Sequence, residues 1–280
     1  MIRTEHLSKK LGSFELSDIN LTVPPGYICG LIGENGAGKT TLMNLLTGLY
    51  STDSGEIFIN GNNLRTHQVL AKNDIGYVFN EELFDSTLSL VKNADSYGKY
   101  YNNYDKNTFI TYCKRFNLDI NKKLEKHSKG EKLKFQFAFA LAHFPNLLLL
   151  DEPTANFDPE FRKEFISILT DFIKDGTKSV LLATHLTSDL ERIADYITFI
   201  HQGKIVFSYE YPTLENSYRL LSGEDYKINL ISPDKIIYKE KGDYCTKALV
   251  KHRPSYKYDK DISVDIPNLE DIMYFYIKRG

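Results

Sequence analysis

The sequence predicts an α/β fold in which strands alternate with helices as in a parallel sheet, with a partly exposed N-terminal β-sheet, an inserted helical subdomain and a small C-terminal α+β appendage. Two observations predict this fold. Short apolar runs typical of buried strands, at 27–32, 147–150 and 180–183, alternate with helical stretches. A glycine-rich loop joins the first of these runs to a helix, in the order of a phosphate-binding unit.

The elements before residue 207 follow from their patterning. Residues 1–26 alternate apolar and polar positions, which predicts a partly exposed β-sheet, and further short strands are predicted at 54–61 and 75–79. From about residue 82 to 126 the chain is polar, tyrosine-rich and helical in spacing, which predicts an inserted helical subdomain over about 82–145. The pattern changes after Phe207, so we expect one domain over 1–207 and an accessory domain over 208–280.

The accessory domain is predicted to contain strands followed by one helix. An apolar face formed by Leu269, Ile272, Met273 and Tyr276 recurs at helical spacing. That face packs either on the appendage's own strands or on the same helix of a second subunit. We expect a modest dimer-stabilising role, because a small appendage has little core with which to cover the helix. The strands are expected at 226–230, 235–238, 248–250 and 261–266, and the helix from about 268 to 278.

Composition restricts the function classes. The 280 residues carry a net charge of −2, which gives no electrostatic footprint for nucleic acid and disfavours such a partner. The three cysteines form no C-x-x-C pair, which favours a reducing compartment and argues against a zinc site. No apolar run approaches the roughly 20 residues that span a bilayer. We therefore expect a cytoplasmic protein, and any membrane that it serves would be crossed by another chain.

The glycine-rich loop carries the strongest functional signal, because it satisfies the pattern G-x-x-x-x-G-K-[ST]. Its glycines allow backbone N–H groups to turn around a phosphate chain. Lys39 is placed to reach the β- and γ-phosphates, Thr40 to bind Mg²⁺, and the helix N-terminus adds positive potential. A nucleoside triphosphate site is therefore predicted at Gly33, Glu34, Asn35, Gly36, Ala37, Gly38, Lys39, Thr40 and Thr41.

Polar residues after two later strands complete this site. Asp151 ends the apolar run 147–150 and is expected to hold Mg²⁺, while Glu152 is placed to accept a proton from the attacking water. His185 follows another strand and is expected to contact the γ-phosphate. Because the carboxyl ends of parallel strands share one edge, these groups should meet the loop.

With these residues, the chain resembles the ATP-binding subunits of ABC transporters from about residue 2 to 207. The resemblance implies an ABC-type P-loop NTPase core, with a mixed sheet flanked by helices, an antiparallel β-subdomain and an inserted helical subdomain. It further implies a Walker A loop at 33–41, a Walker B strand ending at Asp151, and Glu152 and His185 as catalytic base and switch histidine. It also implies a D-loop at 155–158 that includes Asp158. The cofactors implied are ATP and Mg²⁺.

The family signature, usually L-S-G-G-Q, is matched by His127-Ser128-Lys129-Gly130-Glu131. The resemblance implies that Ser128, Lys129 and Gly130 contact the ATP of an opposite subunit, so that an identical or related second ATPase subunit is needed. Glu131 would repel phosphate if it pointed inward, and we expect it to face away.

Two positions depart from the family pattern. Asn80 stands where the family usually has a glutamine that joins Mg²⁺ to the membrane interface, so it is an additional candidate metal ligand with a side chain one methylene shorter. Leu11 stands where an aromatic residue usually stacks on adenine, with Phe14 nearby as a substitute.

A narrower resemblance, carried by residues 26–33, 128–130, 194–200 and 267–273, is to the YtrB-type group, which includes antimicrobial-peptide and phenol-soluble-modulin exporters. It implies an ATPase on the inner face of the membrane that powers a separately encoded permease and exports peptides or amphipathic compounds. The alternative is a non-transport ABC ATPase acting on ribosomes or nucleic acid, which would normally carry two nucleotide domains or a coiled-coil insertion. A GTPase would need an N-K-x-D motif, and a small-molecule P-loop kinase would lack the signature, D-loop and switch histidine.

Overall fold

The computed structural model describes residues 1–80 and 83–279. Glu81 and Glu82, where the predicted helical subdomain begins, lie outside this description. The strands are β1 Ile2–Leu11, β2 Phe14–Ile19, β3 Thr22–Val23, β4 Ile28–Ile32, β5 Ser54–Ile59, β6 Asn62–Asn63, β7 Ile75–Val78, β8 Leu147–Asp151, β9 Ser179–Thr184, β10 Tyr196–His201, β11 Lys204–Glu210, β12 Tyr218–Gly223, β13 Ile236–Lys241, β14 Thr246–Lys251 and β15 Ser263–Asp265. The helices are α1 Lys39–Leu46, α2 Gln68–Asn73, α3 Leu90–Gly98, α4 Lys106–Arg115, α5 Lys129–Ala142, α6 Pro159–Ile173, α7 Thr187–Ile193, α8 Tyr211–Ser217, α9 Asp225–Ile228 and α10 Leu269–Arg279.

A central sheet with strand order β11-β10-β4-β9-β8-β7 forms the middle of the molecule. Its strands pair in parallel except for the antiparallel hairpin β10–β11. Strands β4, β8 and β9 are buried along their whole length. Leu148 and Leu150 join one apolar cluster, whereas Leu147 and Leu149 join another, as expected for a strand covered on both faces.

Different layers cover the two faces of this sheet. Helix α1 shares one apolar cluster with the N-terminal antiparallel sheet, in which β2, β1, β5 and β6 lie in order and β3 pairs with β1. Helices α5, α6 and α7 contribute to the cluster on the other face. The predicted mixed sheet with flanking helices and an antiparallel β-subdomain is therefore confirmed.

Helices α3, α4 and α5 lie in the stretch where the sequence is helical in spacing, and α5 packs against α4, α3 and β7. Ser89 and Asp105 cap the first two of these helices by accepting backbone N–H groups. No helix within residues 1–80 and 83–279 combines the length and the apolar character that a membrane crossing requires.

The C-terminal region contains an antiparallel sheet with strand order β13-β14-β12-β15, together with α10. Strands β13, β14 and β15 and the final helix lie where the sequence predicts them. The strand predicted at 226–230 is wrong, because residues 225–228 form α9, and strand β12 was not predicted. Over five residues, apolar periodicity does not separate a strand from a helical turn. The boundary predicted after Phe207 falls within β11, which continues in the central sheet to Glu210.

The apolar face of α10 is covered within its own chain. Leu269, Ile272, Met273 and Phe275 are buried, and the helix packs on β13, β14 and α7. Of the two partners considered from the sequence, the appendage's own strands are therefore the right one, with α7 of the core added. The expected dimer-stabilising role was argued from a lack of local cover, and that reason was wrong.

Candidate functional site

The glycine-rich loop lies between the end of β4 and the start of α1. Gly38 has a φ of 114°, and a Cβ built there would lie 2.9 Å from the Leu16 side chain. A Cβ on Gly33 would lie 2.5 Å from the carbonyl oxygen of Ile200. Glycine is therefore required by conformation at one position and by close packing at the other. Gly33 thus allows the loop to approach β10, and Gly38 allows it to approach β2 of the N-terminal sheet.

Lys39, the first residue of α1, is buried beneath the loop. Its Nζ donates to the carbonyl oxygens of Gly33 at 2.8 Å and Glu34 at 3.2 Å, and lies 3.6 Å from Oε1 of Glu152. The ammonium group therefore sits at the junction of the loop and the end of β8. A phosphate chain cradled by the loop would lie beside this cation.

Thr40 and Asp151 form a second contact between the loop and β8. The Thr40 hydroxyl donates to Oδ2 of Asp151 at 2.8 Å, and Asp151 is 2% exposed. Within residues 1–80 and 83–279, no three or more His, Cys, Asp or Glu side chains converge as a metal site. One hydroxyl and one carboxylate nevertheless suit Mg²⁺, which is typically held by one or two carboxylates together with substrate phosphates and water.

Glu152 and His185 are in direct contact across the neighbouring strands β8 and β9. Glu152 Oε2 accepts a hydrogen bond from the Thr184 hydroxyl at 3.1 Å and from the His185 amide at 3.3 Å, and lies 2.9 Å from Nδ1 of His185. Glu152 also has a φ of 49°, a left-handed conformation that is uncommon outside glycine. Such conformations cluster at functional sites.

The signature segment begins α5. Ser128 is the N-cap: its hydroxyl accepts the Glu131 amide, while Glu131 Oε2 accepts the Ser128 amide at 2.7 Å. The expectation that Glu131 faces away from this helix end was wrong, because reciprocal capping turns its carboxylate back onto it. Ser128 and Lys129 are exposed to solvent.

The D-loop lies directly against the signature segment of the same chain. A Cβ on Gly130 would lie 2.5 Å from the Asn156 carbonyl oxygen, so only glycine allows this approach. Asp158 caps α6 by accepting the Phe161 amide, and its Oδ2 lies 3.0 Å from Lys134 Nζ on α5. The Phe161 amide and then the Lys134 ammonium hold the pKa of Asp158 below its usual value.

The remaining predicted positions lie at the border of the site. Asn80 is exposed and follows β7, at the same sheet edge as Asp151. Leu11 is 37% exposed. Phe14 is half-buried, and its ring would lie 3.0 Å from a Cβ on Gly38, so it packs beneath the loop.

Two residues near the site, His201 and Arg162, make contacts that were not predicted from the sequence. His201 Nδ1, at the end of β10, lies 3.2 Å from Oε1 of Glu34 in the loop. Arg162 on α6 donates to the Thr154 carbonyl and lies 3.8 Å from Asp189 on α7, which links the segment after Glu152 to the helix after His185. The position of His201 after an apolar strand was a usable signal. Arg162 gave none, because its partners are distant in sequence.

The family described as ABC transporter matches residues 16–155 of this chain. The chain is 32% identical to the lantibiotic transport ATP-binding protein SrtF of Streptococcus pyogenes, over 80% of this chain and 97% of that protein. It is 32% identical to the bacitracin transport ATP-binding protein BcrA of Bacillus licheniformis, over 74% and 68% respectively. YtrB of Bacillus subtilis, an ABC transporter ATP-binding protein, is 28% identical over 82% and 79%.

Solved structures share the fold. An ATP-binding subunit of an ABC transporter superposes with a TM-score of 0.70 at 22% identity, covering 77% of this chain and 92% of that one. The cassette MJ0796, as a post-hydrolysis dimer bound to ADP and Pi, gives 0.67 at 21% identity, covering 75% and 98%. The family match and the 32% identical relative, which is matched over 97% of its length, indicate the same family. The contacts of the glycine-rich loop are consistent with it. This chain belongs to the ABC transporter family, as an ATP-binding and ATP-hydrolysing subunit.

Proposed function

We propose that this subunit powers a separately encoded membrane permease that exports peptides or amphipathic antimicrobial compounds. The names of two relatives, which refer to lantibiotic and bacitracin transport, support this class of cargo. In this arrangement the chain lies on the inner face of the membrane, bound through the permease. The non-transport alternative is not favoured, because these relatives are named as transport proteins.

The observation that carries the catalytic proposal is the position of Glu152 between a cation and a histidine. Its Oε1 lies 3.6 Å from Lys39 Nζ and its Oε2 lies 2.9 Å from His185 Nδ1. A carboxylate held in this way is placed to take a proton from water that attacks the γ-phosphate. His185 orients that carboxylate, and Lys39 holds the phosphates beside it.

Thr40 and Asp151 are proposed to hold Mg²⁺. When bound, this ion neutralises charge on the phosphate oxygens. Their hydroxyl-to-carboxylate contact of 2.8 Å places two oxygen ligands side by side. Asn80, at the same edge, is proposed as an additional ligand.

We further propose that two subunits enclose two nucleotides, with Ser128, Lys129 and Gly130 of each meeting the γ-phosphate held by the other. The exposed N-terminal end of α5 supports this role, because helix N-termini bind anions. Asp158 is proposed to hold the D-loop beside this interface.

Subunit mixing tests the base, the signature and the dimer together. A Ser128→Arg chain and a Glu152→Gln chain should each be inactive. Mixed in equal amounts, they should form one site that carries both defects and one that carries neither, because each site takes its base and its signature from different chains. ATP turnover should therefore return in the mixture. A crosslinking control establishes that subunits exchange, and no recovery after proven exchange would contradict the arrangement.

The transport role is tested by purifying the chain with the membrane protein encoded beside it and reconstituting both in vesicles. ATP turnover should rise with a lantibiotic or an amphipathic helical peptide and remain unchanged with a soluble polar peptide of equal length. Purification with ribosomes or DNA in place of a membrane protein would favour the non-transport alternative.

A further inference from the structure

The N-terminal end of the signature helix α5 already holds a carboxylate of its own chain. Glu131 Oε2 accepts the Ser128 amide at 2.7 Å, and the Glu131 amide donates to the Ser128 hydroxyl at 3.2 Å. The hydrogen bond from the Ser128 backbone holds the pKa of Glu131 below its usual value, so the side chain is charged at neutral pH. An arriving phosphate therefore meets a negative charge at the helix end that is proposed to bind it.

A buried histidine lies beside this carboxylate. The His127 side chain is fully buried, and within the described part of the chain neither of its ring nitrogens has a hydrogen-bond partner. Its Nδ1 lies 3.7 Å from Glu131 Oε1, just beyond hydrogen-bonding distance. Because buried polar groups are normally paired, His127 is a ready partner for the carboxylate after a small rotation.

Three of the charged groups near the capping box are lysines, and Glu125, three residues before Ser128, faces Lys123. Lys122 faces Glu131 closely enough to stabilise its charge, and Lys129 projects from the first turn of α5. Lys134, one turn further along the helix, is engaged by Asp158. Of these groups, Glu131 is the one whose charge opposes a polyanion at the N-terminus of α5.

We propose that Glu131 is an electrostatic brake on nucleotide-driven dimer closure, and that His127 receives its carboxylate when the brake is released. In the isolated subunit, the carboxylate occupies the end of α5. When the γ-phosphate held by the opposite subunit approaches, the carboxylate turns from the Ser128 amide to His127 and the helix end accepts the phosphate. This inference rests on the proposed role of Ser128 in the opposite site. In it, His127 and Glu131 act as positioning residues.

The test measures dimer mass against ATP concentration in Glu152→Gln chains, which should bind ATP without turning it over. Glu131→Gln keeps an oxygen that can accept the Ser128 amide but removes the charge. It should lower the ATP concentration for half-maximal dimerisation by about two- to fivefold at low salt, an effect of the size of a charge at a helix end. The difference should shrink at high salt, because screening weakens charge repulsion.

Glu125→Gln is the matched control, because Glu125 is an exposed glutamate that precedes α5 and faces Lys123. It should leave the ATP requirement unchanged. If Glu152→Gln chains never dimerise with ATP, the proposed two-subunit site fails. If they dimerise but Glu131→Gln changes nothing, or acts equally at all salt concentrations, the brake is wrong while the two-subunit site stands.

His127→Leu tests the second half of the inference. In chains that retain Glu131, it should raise the ATP requirement, because the displaced carboxylate loses its partner. In Glu131→Gln chains it should change nothing, since no charge needs that partner. Equal effects in both backgrounds would show that His127 acts only in packing, and thermal unfolding of each variant identifies any loss through misfolding.

Discussion

Two regions of the molecule are held together by different kinds of contact. One is the nucleotide edge, where β4, β8 and β9 end beside the glycine-rich loop, and the other is the C-terminal region. At the edge, strands buried on both faces bring short polar contacts together, such as Lys39 with Glu152 and Thr40 with Asp151. In the C-terminal region, β15 is exposed along its whole length, and α10 shares an apolar cluster with the core. Polar contacts therefore mark the proposed catalytic site, whereas apolar packing joins the C-terminal region, which also has a small apolar cluster of its own, to the core.

The largest expected effect lies at the nucleotide edge. Glu152→Gln removes the proposed base while keeping the size of the side chain, so turnover should fall by about 10²- to 10⁴-fold. ATP binding should persist, because Lys39 and the loop are intact, and the thermal midpoint should change little. Turnover, nucleotide binding and thermal unfolding are measured on the same preparation. Near-normal turnover would contradict the assignment of Glu152.

Lys39→Ala changes the other partner of the contact between Lys39 and Glu152, and its effect is compared with that of Glu152→Gln. It removes the cation that donates to Gly33 and Glu34, so ATP binding itself should fail. If Lys39→Ala bound ATP normally and lost only turnover, the division of roles between these two residues would be wrong.

In the C-terminal region the expected effect is on stability. Phe275 is 3% exposed and belongs to the shared apolar cluster, so Phe275→Ala should destabilise the protein by about 3–5 kcal/mol. Because that cluster includes core residues, denaturant unfolding should show one transition. Val264→Ala, at an exposed position of β15, serves as the control and should change stability by less than about 0.5 kcal/mol. Two separate transitions would show that the appendage folds independently.

The same difference explains what could be predicted from the sequence. At the nucleotide edge, Asp151, Glu152 and His185 directly follow long apolar runs, so parallel strands with a common edge were enough to predict that they meet. The contact between Glu152 and His185 is local to two neighbouring strands. The order of the motifs and the apolar character of the strands were therefore enough to predict the fold of the core and which residues of the candidate site lie together.

Features that depend on tertiary packing were missed. Residues 226–230 have a short alternating pattern that fits either a strand or a turn of helix, and the structure has α9 there. The partner of α10 includes α7, which is distant in sequence and gave no signal. The direction of Glu131 was also missed, because a capping box and a solvent-facing glutamate have the same sequence spacing.

A smaller effect is expected at a polar contact inside the C-terminal region, between β12 and α10. The Tyr218 and Tyr276 hydroxyls lie 2.8 Å apart in a half-buried setting. Tyr276→Phe should destabilise the protein by about 1 kcal/mol, because one partner of a hydrogen bond is removed. Tyr274→Phe, which loses an exposed hydrogen bond to Glu240, should cost less. If both variants lost the same free energy of unfolding, burial would not make the Tyr218–Tyr276 hydrogen bond stronger than the exposed one.

The smallest expected effect concerns the link between α7 and α10. Glu191 Oε1 accepts the Leu269 amide at 2.8 Å, which places a carboxylate at the N-terminus of α10. Glu191→Gln keeps the acceptor and removes the charge, so stability should fall by about 0.3–1 kcal/mol, and less at high salt. Glu191→Ala also removes the acceptor and should cost more. Because α7 begins two residues after His185, ATP turnover is measured beside denaturant unfolding. Unchanged turnover would mean that this link contributes only to stability, whereas a large loss of turnover in Glu191→Gln would show that the C-terminal region also acts on His185 and the nucleotide edge.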